Sequence, residues 1–386
     1  MPRPLPKAAL PVGLALLLLG GVFTAPALWK RYLGALEQRT APLYLPRERV
    51  AGGHEPLAPR VAPGLEKLDA RALEEAAGYA AAHGSLALIV SRHDHIVFER
   101  YWRGTDFNTV IDAQSFTPLL AALATGVAIS HRRIGWPDEP TGILISEWRD
   151  DPRGAISVRN LLHMASGLSP QAPAADADLT RSLLTRPQLA APGSRHLVQA
   201  ADPQLLALAL ERATHTRYAD FLSDALWRRI GASDAWLWLD RSGGLAHADC
   251  CLRAAQGDWI RVGQLLLHDG NYRGDEVIRP GWVMLMRSPS RSDPDYGAYV
   301  RLGTRAVLGR EPYATRDVYL VGAPGGNRLW LVPSMDIAIL CTGDPGSRAS
   351  DWDDARIPNA IVRGARDYVP PAALPGADLS AIVPGH

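Results

Sequence analysis

The amine chemistry available to this chain is limited by its few lysines. Lysine and arginine together number 41 of the 386 residues, yet the lysines are Lys7, Lys30 and Lys67 alone. Every lysine or arginine after position 67 is an arginine, whose guanidinium is not deprotonated in proteins. The main body of the protein therefore has no lysine that could act as a general base or form a Schiff base.

Two histidines are spaced so that they could share a metal ion. His93 and His95 flank Asp94, and residues two apart on a strand point to the same face. Because no third ligand is evident in the sequence, we interpret this segment as a solvated turn and predict no metal and no cofactor. The chain also lacks a Gly-x-Ser-x-Gly elbow, a Gly-x-x-x-x-Gly-Lys loop and a His-Glu-x-x-His motif.

The composition is that of a globular protein. Hydrophobic residues make up 47% and charged residues 21%, which excludes a wholly disordered or coiled-coil chain. A net charge of +1 gives no general attraction to nucleic acid. Three cysteines exclude a disulfide scaffold. Cys250 and Cys251 are adjacent and Cys341 is distant, so a disulfide is compatible with the sequence but not required, and we expect small buried side chains.

The N-terminal residues have the pattern of an export signal. Arg3 and Lys7 precede an apolar run from Ala8 to Trp29, which as a helix would reach about 33 Å, enough to cross a bilayer core of about 30 Å. The pattern is typical of a signal peptide or an uncleaved signal anchor over residues 1–31, and the length favours an anchor. We expect a protein anchored in the inner membrane and facing the periplasm, or a periplasmic one if the leader is cleaved.

The remaining chain divides into a linker, a domain and a tail. Residues 32–64 are rich in Pro and Gly and are predicted to be a linker. Residues 65–370 are predicted to form one domain, and residues 371–386 are a Pro-rich tail. Apolar periodicity in the domain predicts a helix, a two-stranded hairpin, a long helical block, a group of strands and a final helix. The corresponding ranges are Leu65–Ala82, Leu86–Ser91 with Ile96–Tyr101, Ser115 to about Trp282, then Tyr296–Leu302, Val318–Val321, Arg328–Val332 and Ile337–Thr342, and Asp351–Tyr368.

This order of elements predicts an α/β fold of the α+β sandwich type. Short connections make neighbouring strands antiparallel, in a sheet of about five strands. The first and last helices are expected to cover that sheet. An all-helical lobe, residues 115–285 or so, is inserted between the second and third strands, and the boundary between sheet and lobe is the expected pocket.

Several phrases, in this order, resemble the serine β-lactamase and penicillin-binding-protein superfamily, especially class C-like serine hydrolases, esterases and 6-aminohexanoate-dimer hydrolases. They are Glu99–Trp102, Gln114–Thr117, Ile156–Leu168, Pro192–Arg195, Gln204–Leu206, Asp258–Leu266 and Gly325–Pro333. The resemblance implies a β-lactamase-like fold. It also implies a Ser-x-x-Lys motif with a serine nucleophile and a lysine base, a tyrosine in a Tyr-x-Asn element, and a Lys or His on the third strand.

The chain departs from the family at each of these positions. By the resemblance, the nucleophile falls on Ile111, the lysine on Gln114 and the tyrosine on Val198, with Pro324 where a Lys or His is expected. None of these side chains can replace the catalytic group that the family carries there. We expect them to line an altered ligand pocket, made of Ile111, Gln114, Val198, Pro324, Gly325 and Gly326. The same alignment predicts that Ile111→Ser with Gln114→Lys would restore covalent labelling.

Two functional hypotheses follow. The first is a membrane-tethered pseudoenzyme that binds a small-molecule ligand or an envelope protein partner. The second is an active esterase or amidase with a displaced nucleophile, Ser115, and His163 as its base. Against the second, Ser115 just ahead of Pro118 is typical of a helix N-cap, and a serine hydroxyl is a weak nucleophile without an adjacent base.

Overall fold

The structure of the protein is a computed structural model that describes residues 46–56, 58–170, 178–303, 311–322, 326–343 and 351–370. The predicted leader, residues 1–31, and the predicted tail, residues 371–386, lie outside the described residues. Within the described ranges, every helix is too short or too polar to cross a bilayer.

Twelve strands are described, and all paired strands run antiparallel. They are β1 Arg47–Val50, β2 Ser85–Arg92, β3 His95–Tyr101, β4 Val110–Asp112, β5 Ala235–Trp238, β6 Leu252–Ala255, β7 Asn271–Tyr272, β8 Asp275–Glu276, β9 Arg301–Leu302, β10 Tyr319–Gly322, β11 Arg328–Val332 and β12 Ile337–Gly343.

Ten α-helices are described, and six of them, α2 to α7, follow one another between β4 and β5. They are α1 Ala70–Ala82, α2 Thr117–Ser130, α3 Thr141–Leu144, α4 Val158–Leu162, α5 Leu179–Leu184, α6 Ala201–Thr214, α7 Tyr218–Leu222, α8 Asp258–Leu267, α9 Trp282–Met286 and α10 Arg356–Arg363. Single 3₁₀ turns lie at Pro63–Glu66, Gln114–Phe116, Ser146–Trp148, Pro152–Ala155 and Pro333–Met335, and a π-helical turn lies at Ser223–Trp227.

The main sheet has six strands in the order β3-β2-β12-β11-β10-β9. The predicted hairpin is confirmed: β2 and β3 pair through a turn in which His93 and Asp94 have φ of 46° and 62°. That left-handed conformation matches the twist of a two-residue hairpin. The C-terminal strands then pair onto β2 through β12, so segments far apart in the chain form one sheet.

Alternate residues of the sheet face two different cores, because side chains on a strand alternate between faces. Leu88 and Val90 pack with α1 and α10, whereas Ala87 and Ile89 face the lobe. The two terminal helices come together, as Asp69 N–H donates to the carbonyl of Gly364 at 2.9 Å. The predicted sandwich, with its first and last helices on one face of the sheet, is therefore confirmed.

The lobe differs from the prediction because it is not wholly helical. It carries a second sheet of four strands in the order β1-β5-β6-β4. Its central strand β5 reads Ala235-Trp236-Leu237-Trp238, with alternate residues buried, which is a strand pattern within a mainly helical text. This second sheet also fixes the segment that leads into α2, since Ala113 N–H donates to the carbonyl of Leu252 in β6 at 2.8 Å.

The predicted linker over residues 32–64 is wrong from residue 46 onward. There the chain forms β1, whose residues pair with β5 from Arg47 opposite Trp238 to Val50 opposite Ala235. Further on, Val61 N–H donates to the carbonyl of Ile96 at 3.0 Å. Prolines before an edge strand are compatible with pairing, because an edge strand needs only one row of hydrogen bonds.

Candidate functional site

A cavity of about 500 Å³ lies at the predicted boundary between the main sheet and the lobe. The start of α2, the segment leading into α6, the segment before β9 and strand β10 all contribute side chains. The lining residues are Ser115, Pro118, Met164, His196, Val198, Gln199, Ala200, Pro203, Asp249, Tyr296, Gly297, Tyr299, Arg301, Leu320 and Gly322.

Ser115 lines this cavity and is not the helix N-cap that its sequence context predicts. It lies within the 3₁₀ turn Gln114–Phe116, which continues directly into α2. The residue before α2 is Phe116, which has helical backbone angles and no side-chain cap. Because the helical path begins before α2, Ser115 lies inside the turn and not at its boundary. Pro118, the second residue of α2, lines the same cavity.

Ile111 and Gln114 are not among the residues that line the cavity, so their predicted pocket role is wrong. Ile111 is the middle residue of β4, pairs with Ala254 and is only 8% exposed in the core of the lobe. Gln114 has φ of 47°, and its N–H donates to Asp112 Oδ1 at 3.0 Å. The left-handed backbone at Gln114 changes the direction of the chain after β4. As a result Ser115 lines the cavity and Ile111 does not.

The other predicted pocket residues have different outcomes. Val198 lines the cavity, as predicted, and is 61% exposed. Pro324 and Gly325 lie outside the described residues. Gly326 is described but does not line the cavity, and its carbonyl accepts a hydrogen bond from Arg328 Nη1 at 3.3 Å.

His163, the predicted base, is buried beside the cavity and is not among its lining residues. Burial and then the nearby Arg159 charge lower the pKa of His163 to about 4. Its Nε2 has no hydrogen-bond partner among the described residues. His163 is therefore a neutral imidazole at neutral pH, and its Nε2 is not hydrogen bonded to Ser115.

His196 is the histidine that does line the cavity, and the sequence analysis missed it. Its Nδ1 is 2.9 Å from the carbonyl oxygen of His163, and its ring stacks on Tyr296 with centroids 4.3 Å apart. A carbonyl only accepts, so Nδ1 carries the proton and Nε2 presents a lone pair. That Nε2 also lacks a partner in the part of the chain that the structure describes. Its position directly after the family-like phrase Pro192–Arg195 and two residues before Val198 was the available signal.

The polar groups of the cavity include one permanent cation and one carboxylate. Arg301 is about one-third exposed and is 3.8 Å from Asp354 through Nη1. Asp354 is engaged more closely by Arg328, whose Nε lies 2.7 Å from Oδ1. Burial is the largest single influence on the pKa of Asp354 and would raise it, but the charges of Arg328 and Arg301 and the hydrogen bonds from Trp352 and Arg328 together lower it. On another wall, Asp249 accepts a hydrogen bond from Gln204 Nε2 at 2.5 Å.

A buried carboxyl group lies behind the cavity wall. Asp202 is fully buried and accepts hydrogen bonds from the Ser166 hydroxyl at 2.6 Å and from Gln199 Nε2 at 3.0 Å. Gln199 is also a lining residue. Burial raises the pKa of Asp202 to about 7 although its hydrogen bonds favour the charged form. The lining residue Gln199 is therefore hydrogen bonded to a carboxyl group whose charge changes near neutral pH.

The histidine pair in the β2–β3 turn has an acidic partner that the sequence analysis did not identify. His93 Nδ1 and His95 Nδ1 lie 2.6 Å from the two carboxylate oxygens of Glu66. The turn is solvated, as the side chains of His93 and His95 are 50% and 37% exposed, and Glu66, the last residue of the 3₁₀ turn Pro63–Glu66, in addition reaches both rings. None of the three residues lines the cavity.

The cysteines also differ from the expectation in part. Cys341 is buried, as expected, and its Sγ lies 3.1 Å from the Ser85 hydroxyl. Cys250 and Cys251 are joined by a disulfide between adjacent residues and are only partly buried. The prediction of small buried side chains is wrong for this pair, because both residues are partly exposed to solvent.

Sequence comparison places the chain among known proteins. A sequence model of the Beta-lactamase family matches residues 70–356. A 6-aminohexanoate-dimer hydrolase of Paenarthrobacter ureafaciens is 30% identical over 161 residues, which cover 40% of this chain and 38% of that relative. The chain thus matches well under two thirds of the length of this curated relative. These findings confirm the resemblance that the sequence phrases predict.

Solved structures share the fold. An inferred 6-aminohexanoate-dimer hydrolase from Bacillus anthracis has a TM-score of 0.67 at 15% identity, covering 83% of this chain and 89% of that chain. An inferred β-lactamase from Bacteroides dorei DSM 17855 has a TM-score of 0.65 at 16% identity, covering 78% and 99%. EstCE1, a hydrolase with promiscuous acyltransferase activity, has a TM-score of 0.61 at 16% identity, covering 77% and 98%. At these identities the similarity shows the fold alone.

Proposed function

This chain belongs to the beta-lactamase family, and from that premise we propose that it is a pseudoenzyme that binds a small molecule in the cavity between the main sheet and the lobe. In this proposal it does not use the serine–lysine mechanism of its relatives. The observation that carries the proposal is an open cavity of about 500 Å³ whose lining, among the described residues, includes one serine and no lysine. An open cavity favours ligand binding, whereas a packed one would favour a scaffold.

The missing base supports this proposal. A serine hydroxyl becomes a useful nucleophile only when an adjacent group removes its proton. Three residues after Ser115 the chain has Pro118, which has no titratable side chain. Lys67 is the one lysine of the described residues, and its Nζ pairs with Asp367 at 3.7 Å, away from the cavity. Loss of the catalytic pair removes most of the rate enhancement of such an enzyme.

The lining favours a ligand with an aromatic or apolar body and an anionic group. The stacked rings of His196 and Tyr296 offer a flat surface, and Leu320 adds an apolar one. Of the lysines and arginines in the described ranges, Arg301 alone lines the cavity, and its Nη1 lies 3.8 Å from Asp354. A carboxylate can pair with a guanidinium through two hydrogen bonds, which gives both affinity and orientation.

A second candidate function is hydrolysis by Ser115 with His196 as its base. One observation favours it: both residues line the same cavity, and the Nδ1 contact of His196 leaves its Nε2 as a proton acceptor. The name of the sequence relative, a 6-aminohexanoate-dimer hydrolase, agrees with hydrolysis, and so does that of the structural neighbour EstCE1, a hydrolase with promiscuous acyltransferase activity. Against it, Nε2 of His196 is not hydrogen bonded to any described residue, Ser115 included.

We further propose that the protein is exported and held at the inner membrane by the apolar run Ala8–Trp29, facing the periplasm. The support is the basic-then-apolar order of the first thirty-one residues. Cell fractionation and protease protection of intact spheroplasts test this: an exported domain is digested from outside, while a cytoplasmic domain is protected. A partner in the envelope, as an alternative occupant, would co-purify from detergent-solubilised membranes, and a lone monomer would argue against it.

Labelling and binding together test the main proposal. The full chain, purified in detergent, is incubated with a fluorophosphonate probe and a fluorescent penicillin beside Ser115→Ala. We expect the parent protein to be labelled no more strongly than the Ser115→Ala variant. Benzoate binding, followed by ligand-observed NMR, should be lost when Ala200→Trp fills the cavity. Stoichiometric labelling that Ser115→Ala abolishes would establish the hydrolase instead, and absence of any cavity-dependent binding would overturn the binding function.

A further inference from the structure

The loop between β5 and β6 brings one imidazole and two sulfur atoms together at the surface. His247, Cys250 and Cys251 each offer one ligand atom, and these three atoms lie within 4.8 Å of one another. All three residues are of intermediate burial, so none of them is shut off from solvent. Neither the catalytic motif of the family nor the cavity chemistry described above uses these atoms.

We propose that the dithiol form of Cys250 and Cys251 binds, together with His247, a thiophilic divalent cation such as Zn²⁺. Zinc takes two cysteine sulfurs and one histidine nitrogen in some proteins and keeps the fourth position for water. With Zn–S of about 2.3 Å and Zn–N of about 2.0 Å, tetrahedral ligand atoms are roughly 3.5–3.8 Å apart. The three atoms lie within 4.8 Å of one another while the two sulfurs are bonded, and reduction frees the sulfurs to separate to the zinc-ligand spacing.

The backbone holds the ligand residues in place. His247 N–H donates to the carbonyl of Trp238 at 2.8 Å, and Trp238 N–H donates to the carbonyl of Cys251 at 3.3 Å. Both sides of the loop are thus tied to the last residue of β5. Because these bonds are made by the main chain, they do not depend on the disulfide, and the ligand residues stay close together in the reduced protein.

The electrostatic surroundings suit a cation. Two thiolates and a neutral imidazole carry a charge of about −2, which a divalent cation neutralises. The carboxylate of Asp249 lies 3.6 Å from His247 Nδ1, and a carboxylate beside a metal-binding histidine orients its ring. Asp249 also lines the cavity, so that the ion would lie beside the proposed ligand site.

The chemistry requires one reduction step before the metal binds. A small dithiol such as dithiothreitol passes two electrons and two protons to the disulfide, which becomes two thiols while the reductant closes to its own cyclic disulfide. Binding of the cation then forms two metal–sulfur bonds and releases the two thiol protons to solvent. The oxidised protein offers no thiolate, so it should not bind the ion.

Cadmium titration of the full chain tests the site. Protein in detergent is reduced, the reductant is removed without air, and thiols are counted before Cd²⁺ is added and the cadmium–thiolate absorption is recorded. We expect one Cd²⁺ per reduced chain, competition by Zn²⁺, and no absorption from the oxidised chain. Cys250→Ser and Cys251→Ser should each weaken binding at least tenfold, and so should His247→Ala, while Cys341→Ser, which removes the buried thiol, should change nothing.

Several results would overturn the proposal. If thiol counting shows that the Cys250–Cys251 disulfide cannot be reduced in the folded chain, the site is excluded. A reduced chain with no cadmium–thiolate band also excludes the site, and so does an unchanged cadmium affinity in Cys250→Ser. An unchanged cadmium affinity in His247→Ala would show that the histidine is not a ligand and that the proposed ligand set is wrong. Circular dichroism should show an intact fold for each variant.

Discussion

Ser115 and Pro118 are three residues apart at the start of α2, and both line the same cavity. That is the spacing of the family's serine and lysine, one helical turn apart, which places two side chains on one face. The sequence alignment had put this pair on Ile111 and Gln114, four residues earlier. The structure instead presents a serine to the cavity and a proline at the position from which a base would act.

Pro118→Lys should therefore create a working pair with Ser115. The amine would lie at the positive N-terminal end of α2 and beside a partly apolar cavity, both of which favour its neutral, basic form. We expect hydrolysis of an activated ester such as p-nitrophenyl acetate to rise by about 10²-fold, the lower range for general-base catalysis, together with fluorophosphonate labelling. Steady-state kinetics and mass spectrometry of the adduct measure this.

The matched control is Pro118→Met, which has a long side chain without an amine. Equal rates in the Lys and Met variants, or labelling that persists when Ser115→Ala is added to Pro118→Lys, would contradict the assignment of this pair.

Ile111→Ser with Gln114→Lys should not restore the site, although the sequence alignment predicts that it would. Ile111 is buried in the core through β4, so the substitution loses apolar burial and places a hydroxyl there, at a cost of about 2–4 kcal/mol. Urea unfolding should show that loss, and the fluorophosphonate probe should not label the variant. Val110→Ser, on the exposed neighbour in the same strand, should change stability little. A stable double variant with a labelled serine at position 111 would show that the alignment was correct.

The stability of the protein should depend on pH through Asp202. Its pKa is about 7 in the folded chain and 3.8 as the ordinary value. Between these values the folded chain holds a proton that the unfolded chain has lost, so the free energy of unfolding falls as pH rises and levels off above about pH 7. In Asp202→Asn that fall should shrink by a few kcal/mol, measured by urea unfolding between about pH 4 and about pH 7.

The exposed acid Asp220 supplies the control. Asp220→Asn should retain the pH dependence of the parent protein. If Asp202→Asn shows the same slope as Asp220→Asn, the buried carboxyl is not the group that titrates.

Arg301→Gln should weaken the binding of anionic ligands selectively. The guanidinium is the permanent cation of the cavity lining, and a lost charge-assisted pair is worth at least about 1.4 kcal/mol, or tenfold. NMR titration with benzoate and benzamide compares an anion with a neutral molecule of similar shape. We expect only benzoate to lose affinity. Arg291→Gln, on an exposed arginine outside the lining, should have no effect, and equal losses for both probes would argue against a charge contact.

Much of the fold could be predicted because the apolar pattern is local. The β2–β3 hairpin and the strands β10, β11 and β12 appear in the sequence as short apolar runs, and α1 as a helical period. The four-stranded sheet of the lobe could not be predicted in the same way. Its partners, β1, β4, β5 and β6, are short and come from distant parts of the chain, so their pairing depends on long-range contacts that leave no local period.

The site was predicted only in part for a similar reason. Val198 lines a cavity at the expected boundary between sheet and lobe, but His196 was missed, since a single histidine in a loop has no pattern that distinguishes it. The choice between Ile111 and Ser115 depends on the pairing of β4 with β6 and on the left-handed turn at Gln114. A shift of a few residues along such a turn exchanges a core side chain for a cavity side chain.

The sequence alone determined that no lysine follows position 67, because composition does not depend on how the chain folds. The tertiary structure decided which serine lines the cavity and which residue occupies the position of the base. It also decided that two adjacent cysteines lie beside His247. The reason is geometric: the side chains of the site come from segments far apart in sequence, and their directions are set only when the two sheets and α2 pack together.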